Sequence, residues 1–209
     1  MVMIIFFGLF GMTYLLGAFP TGMVMARWLK GVDIRQHGSG NVGATNVARV
    51  VGKVPGVFVL LIDAAKGFVP AAVFPILAIS WGVPFSLETD RIFFGVTAIA
   101  GHIWNPFFQF QGGKGVATAL GVLCALDARI AFGSFGIWIL VAVATRYVSV
   151  ASVAAALGAP FLMVVFGLPI LWTLGTIGVS CAIIARHRPN FLRLLHGEEH
   201  PLWNSKKGS

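Results

Sequence analysis

"VPGVFVLLIDAAKGFVPAAVFPILAIS" occupies residues 54–80, and its only charged residues are Asp63 and Lys66. An apolar run of this length exceeds the roughly 20 helical residues needed to cross a bilayer. Asp63 and Lys66 stand three apart, a spacing that lets them meet on one helix face. Either charge alone would be costly in hydrocarbon. The stretch therefore predicts a transmembrane helix carrying an internal ion pair near one interface. That pair is either a structural element or an orienting device for a functional lysine.

The same pattern recurs outward from this run. Apolar stretches cover 2–26, 91–111, 114–126, 128–145, 148–166 and 168–186. The chain is 57% hydrophobic and 11% charged, against about 25% charged residues in ordinary soluble domains. This composition excludes a soluble globular protein. It predicts an all-α, polytopic membrane bundle of seven transmembrane helices forming a single domain over residues 1–209. The run 114–126 is short. A five-span arrangement, with 114–145 folded as one broken or re-entrant hairpin, is the alternative. Asp127-Ala128-Arg129 favours a true turn there, because paired opposite charges are expensive in the hydrocarbon centre. The stretch from Val2 to Met25 has no preceding basic residue and too long an apolar run for a signal peptide. Cys124 and Cys181 are expected to be small buried hydrophobes. SKKGS, at 205–209, reads as a vector-derived remnant.

The distribution of basic residues gives an orientation. With seven spans and the N-terminus outside, only Arg91 and Arg129 fall on the outer side. Arg27, Lys30, Arg35, Arg49, Lys53, Lys66, Lys114, Arg146, Arg186, Arg188 and Arg193 all fall inside or near the inner interface. The positive-inside rule then predicts an outer N-terminus and a cytoplasmic C-terminus. Three polar islands, 30–53, 101–118 and 186–199, share the cytoplasmic face in that topology.

Each island has anion-binding chemistry. In the first, "GSGNVGATNVARVVG" (38–52), Gly38, Gly40 and Gly43 allow tight turns. Ser39, Asn41, Thr45 and Asn46 add donors, and successive backbone N–H groups can form an anion nest. A helix beginning near Ala44 places Arg49 one turn in, able to grip an anion bidentately. In the second, Gly112-Gly113-Lys114-Gly115 puts a lysine on a glycine turn at a helix start. Gly115 stands where a P-loop needs Ser or Thr for magnesium, so nucleotide hydrolysis is not expected. His102 is either a helix-packing residue or part of the site. In the third, "RHRPNFLRLLHGEEH" (186–200), a helix would put Arg186, Asn190 and Arg193 roughly on one face. Pro189 is expected to disturb it.

The sequence lacks a G-x-S-x-G elbow and clustered zinc ligands. Interleaved basic and aromatic residues on a polar face are also lacking, so nucleic acid is not an expected partner. No metal or cofactor is expected. Physical reading alone reaches a membrane protein with an anion site at the inner membrane edge. That description fits an interfacial enzyme, an organophosphate transporter or an anion-binding module. Polar groups clustered at one face, rather than at the midplane, favour the enzyme.

The three islands, collinear from Gly38 to Glu199, with "DAAKG" at 63–67 between them, resemble the cytoplasmic motifs of the bacterial PlsY family, the acyl-phosphate:glycerol-3-phosphate acyltransferases. The resemblance implies an inner-membrane enzyme with seven spans and a cytoplasmic active site. It implies transfer of an acyl group from long-chain acyl phosphate to the sn-1 hydroxyl of glycerol 3-phosphate, giving 1-acyl-glycerol 3-phosphate and phosphate. This is the first acylation of phospholipid synthesis. Membrane lipid is the surrounding partner, and no obligate protein partner is implied. On this reading Gly38, Ser39, Gly40, Asn41, Thr45 and Asn46 take the acyl-phosphate head. Arg49 and Lys114 hold glycerol 3-phosphate, with His102 and Gly113 beside them. His187 and Asn190 position its hydroxyl, Arg193 and Glu198 support that loop, and Asp63 and Lys66 support the site. The base is either His187, a histidine being suited to proton transfer near neutral pH, or a phosphate oxygen of the substrate, with the substrate-assisted route favoured.

Overall fold

The structure is a computed structural model and describes residues 2–202. It divides into two compact units, residues 1–128 and 129–209. Among the described residues every regular element is helical. The first unit contains α1 (Val2–Ala18), α2 (Thr21–Lys30), α3 (Ala44–Val50), α4 (Lys53–Ser80), α5 (Leu87–Ile103) and α6 (Val116–Leu126). The second contains α7, which begins at the boundary (Ala128–Thr145), then α8 (Val148–Val165), α9 (Ile170–Arg186) and α10 (Arg188–Leu195). SKKGS at 205–209 lies outside the described residues.

Burial is inverted relative to a water-soluble protein. Phe7, Phe132, Leu140, Phe161 and Ile170 are exposed on helix surfaces, whereas Thr13, Asp63, His102, Asn105, Ser149, His187 and Glu199 are buried. Exposed apolar side chains around a polar interior mark helices solvated by lipid. Among the described residues four helical stretches are long and apolar enough to cross a membrane: Val2–Lys30, Lys53–Ser80, Ala128–Thr145 and Val148–Val165. The pair Ile170–Arg186 and Arg188–Leu195, bent by 46°, would make a fifth. All seven apolar runs form helix, but α5 has 17 residues and α6 only 11. Length and composition thus establish a multi-span membrane protein rather than seven crossings.

Local chemistry explains the boundaries. The run 2–26 is not one helix, because Pro20 lacks an N–H and disfavours helix at the residue before it. α1 stops at Ala18 and α2 restarts at Thr21. Gly31, at φ +67°, ends α2 in a left-handed cap. The expected run 91–111 is instead α5 at 87–103. Ser86 caps it by accepting a hydrogen bond from the Thr89 N–H at 3.2 Å, and a polar first turn extends the helix beyond its apolar part. Pro189 does not disrupt α10 but sits in its first turn, where its missing N–H costs no helical bond. The helix axis bends just before it, separating Arg186 from Asn190 and Arg193. The turn expected at Asp127 is present, with an extended residue between α6 and α7. Neither cysteine is buried: Cys124 and Cys181 lie exposed on α6 and α9, facing outward as lipid-compatible side chains.

Glycine allows the first unit's helices to touch backbone to backbone. A Cβ at Gly67 would collide with the Thr118 carbonyl oxygen, and one at Gly121 with that of Ala64. These two contacts hold α4 against α6, the packing mode that small residues permit between membrane helices. In the second unit Ser180 Oγ donates to the Ala156 carbonyl at 2.5 Å, joining α9 to α8, and Trp138 Nε1 donates to Ser152 Oγ at 3.2 Å, joining α7 to α8.

Substituting Gly121→Val should therefore force α4 and α6 apart, at a cost of about 1–3 kcal/mol or more for overpacking. Gly8→Ala, which adds a methyl where nothing lies within 4 Å, should leave stability within about 1 kcal/mol of the wild type or slightly raise it. Thermal unfolding of the purified protein in detergent checks the pair. Equal melting temperatures for both variants would contradict the packing assignment.

Candidate active site

The first island folds into a loop organised by a single asparagine. Asn46, 1% exposed, accepts the Ser39 N–H at 2.9 Å. Its Nδ2 donates to the carbonyls of His37 and Asn41, each at 2.9 Å, and of Ile34 at 3.3 Å. Gly38 and Gly40 adopt φ of +61° and +71°, and a Cβ on Gly38 would strike Asn46 Oδ1. Asn41 Oδ1 accepts the Gly43 N–H at 2.8 Å, just before α3 begins at Ala44. The Gly40 N–H donates to the His37 carbonyl at 3.1 Å. The N–H groups of Ser39, Gly40 and Gly43 are thus committed within the loop, so the expected nest is closed on itself at those positions. The amide of Asn46 likewise faces inward and is occupied by backbone. Ser39 and Thr45 are partly exposed, and Arg49 is exposed at the end of α3.

At the start of the same loop Asp33 accepts from Arg35, with the nearest approach 2.6 Å. The Arg35 side chain and N–H hold the Asp33 carboxyl down at about 2. The guanidinium lies 5.1 Å from the centre of the Phe108 ring, a cation–π arrangement.

Phe108 belongs to the second island and packs against the buried cluster of Met23, Ala26, Ile34, Val47 and Val59. The structure therefore brings the first two islands together. Beyond α5 the chain makes an excursion and returns. The Gly112 N–H donates to the Ile103 carbonyl at 2.9 Å and the Gly113 N–H to that of His102 at 3.0 Å. Lys114 follows this neck, partly exposed, and Gly115 at φ +82° leads into α6. His102 is buried beneath the turn. Its Nδ1 lies 3.2 Å from Thr118 Oγ1, and a Cβ on Gly113 would collide with its Nε2. Both glycines at the neck are thus required by close approach.

The Asp63–Lys66 pair forms at 2.9 Å, with side chains 4% and 8% exposed. Lys66 Nζ also donates to the Phe19 carbonyl at 3.1 Å, in the break between α1 and α2. Asn105, which sequence reasoning passed over, donates to the adjacent Ala18 carbonyl at 2.5 Å. An isolated asparagine in an aromatic-rich loop gave no pattern by which to select it.

In the second unit His187 is 1% exposed at the α9–α10 bend. Its Nδ1 lies 2.8 Å from the Ile183 carbonyl. A carbonyl only accepts, so Nδ1 carries a proton. Asn190 and Arg193 converge on Glu199. Asn190 Nδ2 donates at 2.7 Å and Ser149 Oγ at 3.1 Å to Oε1, while Arg193 Nε donates at 2.8 Å to Oε2. Burial pushes the Glu199 carboxyl up, but the hydrogen bonds from Asn190 and Arg193 outweigh it and lower it overall. Glu198, the expected supporting acid, is exposed and contributes its backbone N–H to the Arg193 carbonyl at 2.8 Å. The adjacent glutamates of "HGEEH" are equivalent in sequence; only the fold separates their roles.

The chain matches the family model described as glycerol-3-phosphate acyltransferase over residues 7–197. It is 44% identical over 189 residues to glycerol-3-phosphate acyltransferase 2 of Moorella thermoacetica, covering 90% of this chain and 93% of that one. It is 46% identical over 187 residues to the glycerol-3-phosphate acyltransferase of Aquifex aeolicus, covering 90% and 94%. Its structure resembles crystal structures of PlsY, an integral membrane glycerol 3-phosphate acyltransferase, in the glycerol 3-phosphate form (TM-score 0.83) and the lysophosphatidic acid form (TM-score 0.81). Each is 44% identical to this chain, and each match covers 93% of this chain and 94% of that one. With its multi-span helical fold and polar loops, this chain belongs to the glycerol-3-phosphate acyltransferase family.

Proposed function

We propose that this protein transfers the acyl group of a long-chain acyl phosphate to the sn-1 hydroxyl of glycerol 3-phosphate, releasing 1-acyl-glycerol 3-phosphate and inorganic phosphate. The observation that carries this reading is the packing of Phe108, in the excursion that leads to the Lys114 turn, against Arg35 and the buried cluster beneath the first loop. Two phosphate-bearing substrates repel, and fixed cations and donors aimed at them lower that cost. The solved relatives, in forms named for glycerol 3-phosphate and lysophosphatidic acid, support the acceptor and the product.

The hydroxyl oxygen of glycerol 3-phosphate attacks the acyl carbonyl carbon. The carbon–oxygen bond to phosphate breaks and inorganic phosphate leaves. The hydroxyl proton passes to a phosphate oxygen of the donor, since a mixed anhydride is already activated and needs chiefly proximity. Ser39 and Thr45 hydroxyls meet the donor head, and Arg49 and Lys114 hold the acceptor phosphate. Asn46, Gly38 and Gly40 shape the first loop, while His102 and Gly113 shape the second. His187 and Asn190 orient the hydroxyl, with Glu199 and Arg193 fixing Asn190. The N-terminus lies outside a bacterial inner membrane crossed seven times, as one catalytic domain with its site on the cytoplasmic side. The acyl chain remains in the bilayer, and no metal, cofactor or obligate protein partner takes part.

Purified protein should make lysophosphatidate from acyl phosphate and glycerol 3-phosphate, detected by mass spectrometry, without acyl-CoA, acyl carrier protein or added metal. Product that appears only with acyl-CoA or acyl carrier protein would overturn the donor assignment. Glu199 gives a pH prediction. Its folded-state carboxyl is lowered, so its stabilisation is complete above the ordinary carboxylate range and is lost as pH falls through the folded value. Glu199→Gln should melt below wild type at neutral pH, and the gap should close as pH falls below the ordinary glutamate range. A gap independent of pH would refute the charged network.

A further inference from the structure

We infer that Asn105 is a positioning residue for acyl transfer, fixing the Lys114 turn relative to the Ser39 loop. The inference deepens the proposed function and rests on its assignment of Lys114 and Arg49 to the glycerol 3-phosphate phosphate.

The α5–α6 excursion has a closed neck, made by the Gly112 and Gly113 N–H groups donating to Ile103 and His102. Lys114 leaves from that neck, so whatever fixes the neck fixes the lysine. Asn105 stands at the root of the excursion, 3% exposed, and uses both its side chain and its backbone there. Its Oδ1 accepts the Phe107 N–H at 2.9 Å. Its carbonyl accepts the N–H groups of Phe108 at 3.1 Å and Phe110 at 2.8 Å. The last bond holds two successive non-glycine residues, Gln109 at φ +51° and Phe110 at φ +61°, in a left-handed region that such residues rarely occupy. Strained backbone persists only where the surroundings over-determine it.

From this root two routes lead to the first loop. One runs through the excursion to Phe108, which lies under Arg35 and against the buried cluster that includes Ile34 and Val47. The other runs through Asn105 Nδ2 to the Ala18 carbonyl at the end of α1. From there α2 carries Gly22, where a Cβ would collide with the Val42 carbonyl oxygen of the first loop. Only an amide serves both ends at once. A carboxylate lacks the donor for Ala18, and an aliphatic side chain lacks the acceptor for Phe107.

The Asn105→Asp variant keeps the shape and the Phe107 acceptor but turns an oxygen toward the Ala18 carbonyl. Steady-state kinetics with varied glycerol 3-phosphate should show KM raised at least about tenfold and kcat within about threefold of wild type, the signature of lost binding rather than lost chemistry. Unchanged KM, with or without a lower melting temperature, overturns the inference, as does a fall in kcat alone. Should Asn105→Asp fail to fold, Phe108→Leu decides by the same criteria, since it breaks the other route while retaining apolar bulk. Should wild-type protein form no product from acyl phosphate, the donor assignment fails separately. The comparison is then made by calorimetric binding of glycerol 3-phosphate, where an equal Kd for wild type and Asn105→Asp overturns the inference and a Kd raised at least about tenfold supports it.

Discussion

A backbone carbonyl in an apolar environment must find a donor, and the break between α1 and α2 leaves the Ala18 carbonyl to a side chain, whereas the Phe19 carbonyl accepts the Thr21 N–H at 2.9 Å. Each such group left unpaired in a bilayer would cost several kcal/mol. Pro20 makes the break. Ala18 draws in Asn105, and Phe19 draws in Lys66, which is neutralised by Asp63. A charge pair that looks out of place in an apolar helix thus adds a second donor, beside the Thr21 N–H, to a carbonyl at the neighbouring helix break. Asn105, the donor to Ala18, lies at the base of the loop that ends in Lys114.

The same economy governs the loops. A polar segment beside lipid must settle its own hydrogen bonds before it can offer any to a ligand. Asn46 does this for the first loop, taking one N–H and three carbonyls. Glu199 does it for the segment after α9, taking Asn190, Arg193 and Ser149. In each case a buried polar residue is spent so that neighbouring groups keep a fixed direction. Close helix contacts at Gly67 and Gly121 then hold α4, which carries Lys66, and α6, which follows the lysine turn, at a set separation.

Much of this was legible in the sequence. The run 128–145 coincides with α7 because no polar turn or proline interrupts it. Asp63 and Lys66 pair as their spacing implied. Hydropathy could not show that Pro20 splits the first run, or that Ser86 starts α5 four residues before the apolar stretch. It could not tell Glu198 from Glu199. Nor could it tell an asparagine that binds a ligand from one that binds its own loop, because the amide chemistry is identical. Asn46 acquires its role within its own loop, and Asn105 from a contact distant in sequence, reaching across to residue 18.

The central claim is that a fixed cation on a glycine turn holds the phosphate of one substrate beside the phosphate site of the other. Turnover by Lys114→Ala, measured on folded, monodisperse protein at saturating acyl phosphate, tests it most directly. The account predicts a loss of at least about 100-fold in kcat/KM, or about 2.7 kcal/mol of transition-state stabilisation, with wild-type melting behaviour. Catalytic efficiency within about threefold of wild type would contradict it.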